Sequence, residues 1–352
     1  MARDPEPNSR PRRQTQIPKV LGGYRLIDKL GKGGSNSVFR ARQVSMDREV
    51  ALKVLLPKKA QSDIIRARFV AEAHLTGRIH NTNVITCFDL GEDQGWMYMA
   101  LELVHGGSLA DLLKHYGGVL PERLALGITR DIGRGLEALA RAGVVHRDIK
   151  PANIFVTGDM IPKIADLGMA VESAAALQRQ SLGFGDDLII GTPNYMAPEQ
   201  AQAKKLITPQ ADIFALGGTL FRMLCGRPPY LGREQQTVLA LAKRGVIPDP
   251  RAFAPKCSTK AVEVIRRAAA ARLTDRYPTA GEIVGVIEEA LQGNLGRETQ
   301  PHLAAELQAE RDARERANSW RKATTEQAES ASPGYDQFDD ETPSAVMIGG
   351  AY

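Results

Sequence analysis

His146-Arg147-Asp148-Ile149-Lys150-Pro151-Ala152-Asn153 is the stretch on which the reading of this chain turns. It holds a carboxylate, an ammonium and an amide in close succession. A hydroxyl attacking a phosphate needs a neighbour that takes its proton, a cation that quiets the charge on the transferred group, and a ligand for a metal ion. Asp148, Lys150 and Asn153 offer those three chemistries. Taken alone, the same residues also suit a charge-rich, solvated loop, and the surrounding sequence decides between the two.

The chain as a whole allows such chemistry. Its 352 residues suit one large two-lobed domain with tails, or two ordinary domains, and leave length for a sizeable core. Hydrophobic residues at 43% and charged ones at 25% are ordinary for globular protein, and a net charge of +5 is modest for this length. The basic excess has no compact Lys/Arg block. Arg10, Arg12 and Arg13 form a short cluster that suits a solvated tail better than a binding patch, so nucleic acid is not an expected partner. Cys87, Cys225 and Cys257 lie far apart without CxxC spacing, which favours thiols in a reducing compartment over a disulfide framework or zinc site. No apolar run is long enough for a membrane span, and the N-terminus is polar and Pro/Arg-rich rather than signal-like. The expectation is a soluble, cytoplasmic protein without membrane insertion.

Residues 1 to about 20 are proline-bearing and poor in apolar side chains, which predicts a flexible leader. From Tyr24 short apolar runs alternate with turn residues, the pattern of antiparallel strands: YRLIDKL, VFRARQV after a Gly31-Lys32-Gly33-Gly34-Ser35-Asn36 turn, and EVALKVLL after Met46-Asp47-Arg48. Glycines let a backbone approach phosphates and present amides to them, although a tight hairpin needs glycine anyway. A dinucleotide site is disfavoured because a strand, not a helix, follows. Lys53 in Val50-Ala51-Leu52-Lys53 lies on a half-buried strand, where an ammonium is costly unless paired. Ile65, Phe69, Glu72 and Thr76 recur at helical steps over Asp63 to Thr76, placing Glu72 on an inward face that wants a cation.

Val84 to Leu90 and Trp96 to Val104 read as strands around a Gly91-Glu92-Asp93-Gln94-Gly95 turn. After Ser108 helical spacing takes over, with Leu124, Ile128, Ile132, Leu136 and Leu139 on one face behind Pro121. Ile154-Phe155-Val156 reads as a short buried strand. Asp166, followed by Leu167-Gly168 at a strand end, offers the oxygen that Mg²⁺ prefers. Residues 169 to about 190 suggest a loop rich in small, polar and glycine residues. Asp212 heads a nearly all-round apolar helix, where an acid favours the dipole. Thr279-x-x-Glu282 predicts a capping box before a closing helix that ends the domain near Gly293. Residues 294–352 form a tail, with a solvated helix over about 298–324 and then an acidic, disordered end.

The order and separation of these motifs carry a resemblance. His-Arg-Asp with four residues between Asp148 and Asn153, the Val-Ala-Leu-Lys strand, the Asp-Leu-Gly triplet and Gly191-Thr192-Pro193-Asn194-Tyr195-Met196-Ala197-Pro198-Glu199-Gln200 are together similar to the eukaryotic-like Ser/Thr protein kinases, particularly the bacterial ones. The resemblance implies an α+β, two-lobed protein kinase fold over about 21–293, a small antiparallel β lobe with one helix at 21–101 and a mainly helical lobe at 105–293. It implies ATP and Mg²⁺, with Mn²⁺ able to substitute, and protein substrates with Ser/Thr acceptors, the chain itself among them, and leaves room for a dimer through the kinase domain.

In that frame Asp148 accepts or orients the hydroxyl proton, Lys150 neutralises the transferred group, and Asn153 and Asp166 hold the metal. Lys53, paired with Glu72, fixes the phosphates. Leu30 and the loop Gly31, Lys32, Gly33, Gly34, Ser35, Asn36, Ser37, Val38 cover them, with Asn36 standing where the family has a third glycine. Leu101 backs the adenine pocket, the backbone of Glu102, Leu103 and Val104 reads adenine, and Phe155 lies below it opposite Val38 and Ala51. Plain core packing suits those last three apolar residues equally well. Leu167 replaces the usual Phe. Asp212 braces the catalytic loop, and Arg276 pairs with Glu199. Thr192 with Lys150 points to Ser/Thr acceptors, and Ser173, Ser181 and Thr192 are candidate phosphoacceptors. Asp186 or Asp187 is expected to pair with Arg147 in place of a phosphate. The rivals are a pseudokinase scaffold that regulates a partner without catalysis, and a small-molecule kinase of related fold.

Overall fold

The alternating apolar residues of positions 24–55 and 96–102 fold as an antiparallel sheet. A computed structural model describes residues 17–169, 171–172, 193–204, 206–292 and 303–329. Among them β1 (Val20–Leu21), β2 (Tyr24–Lys32), β3 (Asn36–Gln43), β4 (Arg48–Leu55), β5 (Cys87–Asp93) and β6 (Trp96–Glu102) make a six-stranded sheet in the order β1-β2-β3-β4-β6-β5. Register sets Lys53 opposite Val38 on one side and Met99 on the other. The two faces of the sheet bury separate clusters. Leu26, Phe39, Leu52, Trp96 and Tyr98 pack on one face, while Val38, Ala51, Met99 and Leu101 pack on the other with Phe69 of α1 (Asp63–Gly77). Phe155 and Ala165, from beyond the sheet, complete the second cluster, so one apolar body joins the two lobes.

Strand bounds depart from the sequence pattern at four places. Ile17 packs against the first cluster, Leu26 N donates to Lys19 O at 2.9 Å, and Val20 pairs with Arg25, so the end of the expected leader is built into the sheet. Gly31 and Lys32 are paired strand residues opposite Val38 and Ser37, which shrinks the glycine turn to Gly33–Ser35. The expected five-residue turn at Gly91–Gly95 is a two-residue hairpin. Gln94 and Gly95 both take positive φ (49° and 79°), the geometry whose twist matches the flanking strands, and Asp93 pairs directly with Trp96. Val84 makes only an isolated bridge to Ile164 rather than beginning a strand.

The second lobe starts at β7 (Gly107–Ser108) and α2 (Leu109–His115), a strand and helix the sequence pattern did not delimit. Ser108 caps α2 by accepting from Asp111 N while Asp111 accepts from Ser108 N, so both exposed amides are satisfied. The apolar stripe behind Pro121 forms α3 (Glu122–Arg141) and buries Ile128, Ile132, Leu136 and Leu139. β8 (Val144–Val145), β9 (Ile154–Val156), β10 (Pro162–Ile164) and β11 (Val171–Glu172) follow, with β10-β9-β7 making a small antiparallel sheet. Beyond α4 (Pro198–Ala201), the helix α5 (Gln210–Cys225) is buried along nearly its whole circumference. α6 (Gln235–Arg244), α7 (Thr259–Ala268) and α8 (Ala280–Gln292) close the lobe around it. Thr279 caps the closing helix by accepting from Glu282 N at 3.3 Å, while the Glu282 carboxylate lies 3.6 Å from Arg267. All three cysteines are free thiols, and no helix among the described residues is long and apolar enough to cross a membrane.

The tail differs from a purely solvated helix. α9 (Leu303–Glu329) docks on the second lobe by burying Trp320 in its main core cluster. Burying an indole removes about 150–250 Å² from water, or roughly 4–6 kcal/mol gross at about 25 cal/mol per Å². Part of that gain is offset because the indole N–H is buried without a partner, yet Trp320 remains the apolar anchor of a helix whose other described side chains are mostly charged or small.

Candidate active site

β4 carries Lys53 inward from the sheet, and α1 aims Glu72 at it; both are buried. Lys53 Nζ lies 2.7 Å from Glu72 Oε1 and 3.3 Å from Asp166 Oδ1. Burial alone favours the neutral amine, but the two carboxylates outweigh it and hold the lysine above its ordinary pKa. The contact with Asp166 crosses the cleft, because Asp166 follows β10 in the other lobe.

The loop 146–153 hangs between β8 and β9 and is fixed from below. Asp212, at the start of α5, accepts the backbone N–H groups of His146 and Arg147, both at 2.8 Å. Burial pushes its carboxyl up, against the pull of His146 and those amides. His146 Nε2 lies 3.0 Å from Ala165 O, and its Nδ1 faces Asp148 N at 3.3 Å, an arrangement in which Nε2 carries the proton and donates. Gln200 donates to Arg147 O at 2.9 Å. Ala165 N donates to Asn153 O at 2.9 Å, tying the loop to the segment that carries Asp166. Arg147 and Asp166 both sit at positive φ (70° and 62°), a strain of about 1–3 kcal/mol each that the surrounding bonds must sustain.

Within the loop the three chemistries converge. Asn153 Nδ2 donates to Asp148 Oδ2 and to Asp148 O, each at 2.8 Å, and Lys150 Nζ lies 2.7 Å from Asp148 Oδ2. The other end of that amide, Asn153 Oδ1, is buried with no hydrogen-bond partner. An orphaned carbonyl oxygen is costly unless something else binds it, and a hard cation is what such an oxygen fits. No cluster of three or more His, Cys, Asp or Glu side chains among the described residues could hold a metal by itself. That suits a cation completed by phosphate and water rather than an all-protein cage.

A cleft of about 360 Å³ opens beside these groups, lined by Leu30, Ala51, Lys53, Glu72, Leu101, Glu102, Val104, Phe155 and Asp166 among others. Its volume is that of a small-ligand site. Val38 belongs to the same apolar cluster as Ala51, Leu101 and Phe155. The glycine turn is set apart: none of Gly31, Lys32, Gly33, Gly34, Ser35, Asn36, Ser37 or Val38 lines the cleft. Gly33 N donates to Asn36 O, and Asn36 Oδ1 is enclosed without a partner. Thr192, Ser173, Ser181, Asp186 and Asp187 lie outside the described residues.

Several contributors escaped the sequence pattern. His105 and Gly106 also line the cleft, and a Cβ on Gly106 would lie 1.7 Å from Val156 O, so only glycine lets the connector pass there. Glu102 is more than a backbone position: its carboxylate meets Lys163 at 2.8 Å and accepts from Thr86 N at 3.3 Å. Gln200 had no sequence signal beyond its place after Pro198-Glu199.

The family pattern described as protein kinase domain matches residues 24–286. Serine/threonine-protein kinase PknH of Mycobacterium tuberculosis (strain ATCC 25618 / H37Rv) is 33% identical over 277 residues, covering 79% of this chain and 43% of that protein. PknE of the same strain is 35% identical over 271 residues, 77% of this chain and 46% of that protein. PknD of Mycobacterium tuberculosis (strain CDC 1551 / Oshkosh) is 33% identical over 277 residues, 78% of this chain and 41% of that protein. The chain thus spans somewhat under half the length of these relatives.

Proposed function

The chain belongs to the protein kinase domain family, and from that premise we propose that it transfers the γ-phosphoryl group of ATP to Ser/Thr hydroxyls of proteins, itself among them, in the cytoplasm. The observation that carries this reading is the contact of Lys53 with Asp166 across the cleft, 3.3 Å, beside a loop that presents Asp148, Lys150 and Asn153 together. The relatives' names, serine/threonine-protein kinases, support the acceptor class.

Phosphoryl transfer needs positioning and charge neutralisation more than covalent chemistry from the protein. Magnesium, when bound, would neutralise phosphate oxygens, with Asn153 Oδ1 and Asp166 as the residues that fit it. Lys53, kept charged by Glu72, would hold the phosphates. Ala51, Leu101 and Phe155 would enclose an adenine whose edge meets the backbone of residues 102–104. Asp148 would orient the attacking hydroxyl and accept its proton, and Lys150 would spread positive charge over the transferred group. The rival pseudokinase reading expects loss of the lysine, the loop carboxylate or the metal carboxylate; Lys53, Asp148 and Asp166 are all present.

The test is transfer of γ-labelled phosphate from ATP with Mg²⁺ to a mixed protein substrate. The expected products are phosphoserine and phosphothreonine, lost in Asp166→Asn. Transfer that survives in Asp166→Asn, or its absence from the parent at every Mg²⁺ or Mn²⁺ concentration, overturns the proposal.

A further inference from the structure

β9 is a three-residue strand with different tasks on its two faces. Side chains alternate along a strand, so Phe155 faces the cleft while Ile154 and Val156 belong to the core cluster of the second lobe. β7 pairs with β9 through only two residues, Gly107 with Val156 and Ser108 with Phe155. A pairing this short cannot hold its own position, and the connector residues that line the cleft run directly into it.

α9 supplies what β7 lacks. Trp320 belongs to the same buried cluster as Ile154 and Val156, and its ring edge comes within 3.0 Å of where a Cβ on Gly107 would lie. Neighbouring groups lock the helix around that contact. His115 Nε2 at the end of α2 lies 3.1 Å from Arg316 O, and its ring meets the Trp320 indole edge-on at 5.6 Å. Arg316 Nη1 donates to Tyr116 O, and Tyr116 Oη donates to Ala313 O, both at 3.2 Å. At the β9–β10 turn, a Cβ on Gly158 would meet Thr324 Oγ1 at 2.8 Å, and Arg321 pairs with Asp159 at 2.9 Å. Among the described residues, Gly107 and Gly158 are places where the lobe keeps no side chain and the helix fills the room.

We propose that Trp320 is a positioning residue for the nucleotide: from behind, it sets β7 and β9 so that Phe155 and the connector present a formed adenine pocket. This inference rests on the kinase reading above. Trp320 lies against Gly107 and outside the lining of the cleft, so the effect belongs to nucleotide binding and not to transfer.

The experiment uses the full chain and measures KM for ATP and kcat in Trp320→Ala, Trp320→Phe and Arg316→Glu, with thermal melting of each. Arg316→Glu sets a carboxylate against Tyr116 O and loosens the helix without opening the core, so it reports even if Trp320→Ala folds poorly. KM for ATP should rise about fivefold or more in Trp320→Ala with kcat within about twofold of the parent, the mark of lost ground-state binding. Arg316→Glu should raise KM less, and Trp320→Phe should recover most of the parent's value. Unchanged KM in both disruptive variants, or a fall confined to kcat, overturns the inference. Asp166→Asn, assayed alongside, separates the two failures: transfer retained there sinks the kinase reading, whereas transfer lost there with KM indifferent to Trp320 sinks only the role of the helix.

Discussion

Arg276 and Glu199 form a bidentate pair, Nη1 to Oε1 at 2.7 Å and Nη2 to Oε2 at 2.8 Å, with side chains 0% and 3% exposed. The remaining guanidinium donors are spent on Ala270 O, Ala271 O and Gln210 O, and Phe214 lies under the group at 4.9 Å. A buried ion pair this well satisfied ties the short helix after Ala197 to α5 and to the segment before α8.

Arg276→Met leaves the buried Glu199 carboxyl without its guanidinium partner. Removing one partner of such a pair costs about 3–5 kcal/mol, whereas replacing both partners with matched neutral groups costs far less. Urea unfolding should therefore show Arg276→Met destabilised by that amount, and Glu199→Gln with Arg276→Met recovering a large part of it. A single variant within about 0.5 kcal/mol of the parent would mean the bridge is dispensable.

Lys53 has two carboxylate partners and Glu72 has one lysine, so the two substitutions are unequal. Lys53→Met removes the cation from the proposed phosphate site and should lower kcat/KM by about 10²–10³, the scale for losing one electrostatic stabiliser. Glu72→Gln leaves Lys53 tethered to Asp166 and should cost less, roughly tenfold. Steady-state kinetics on purified variants decide it, and an equal loss in the two would show that Glu72 does more than hold the lysine.

The same pair fixes a pH dependence. The folded pKa of Lys53 lies above the ordinary 10.5, so its stabilising contribution is fully present below about 10.5 and is lost only as pH rises through the higher folded value. The stability difference between parent and Lys53→Met should then stay flat from about pH 7 to about pH 10. A difference that shrinks within that range would place the lysine's titration where the two carboxylates forbid it.

What the sequence made legible, and what it did not, follows from how each feature is encoded. Lys53 and Glu72 stand out because polar groups on half-buried elements must find partners, and Glu72 recurs at helical spacing with Phe69 and Thr76; Asp148, Asn153 and Asp166 stand out by their chemistry and spacing in a loop and at a strand end. The bridge of Arg276 to Glu199 and the bracing by Asp212 were readable only through the family resemblance, since nothing local links residues so far apart. Three kinds of feature stayed hidden. Strand ends at Gly31 and Lys32 depend on pairing with Ser37 and Val38, which alternation does not reveal. β7 is too short for a period. The docking of α9 depends on one indole in a charge-rich helix, where sequence pattern favours a solvated reading.

Asn153 brings two opposite chemistries to one site, and they can be separated. Nδ2 donates to Asp148 Oδ2 at 2.8 Å and keeps that carboxylate aimed, while Oδ1 is buried with no protein partner and suits a cation. Asn153→Ala removes both, so the Mg²⁺ concentration for half-maximal activity should rise and kcat should fall. Asn153→Asp restores an oxygen, with added charge, but replaces the donor beside Asp148 with a second carboxylate. Its Mg²⁺ requirement should stay near or below the parent's, while kcat falls by about 10²-fold or more because the Asp148 carboxylate is repelled rather than held. Titrating activity against Mg²⁺ in the three proteins reads both effects at once. If the half-maximal concentration is the same in all three, Oδ1 binds no metal, and its burial without a partner has some other cause.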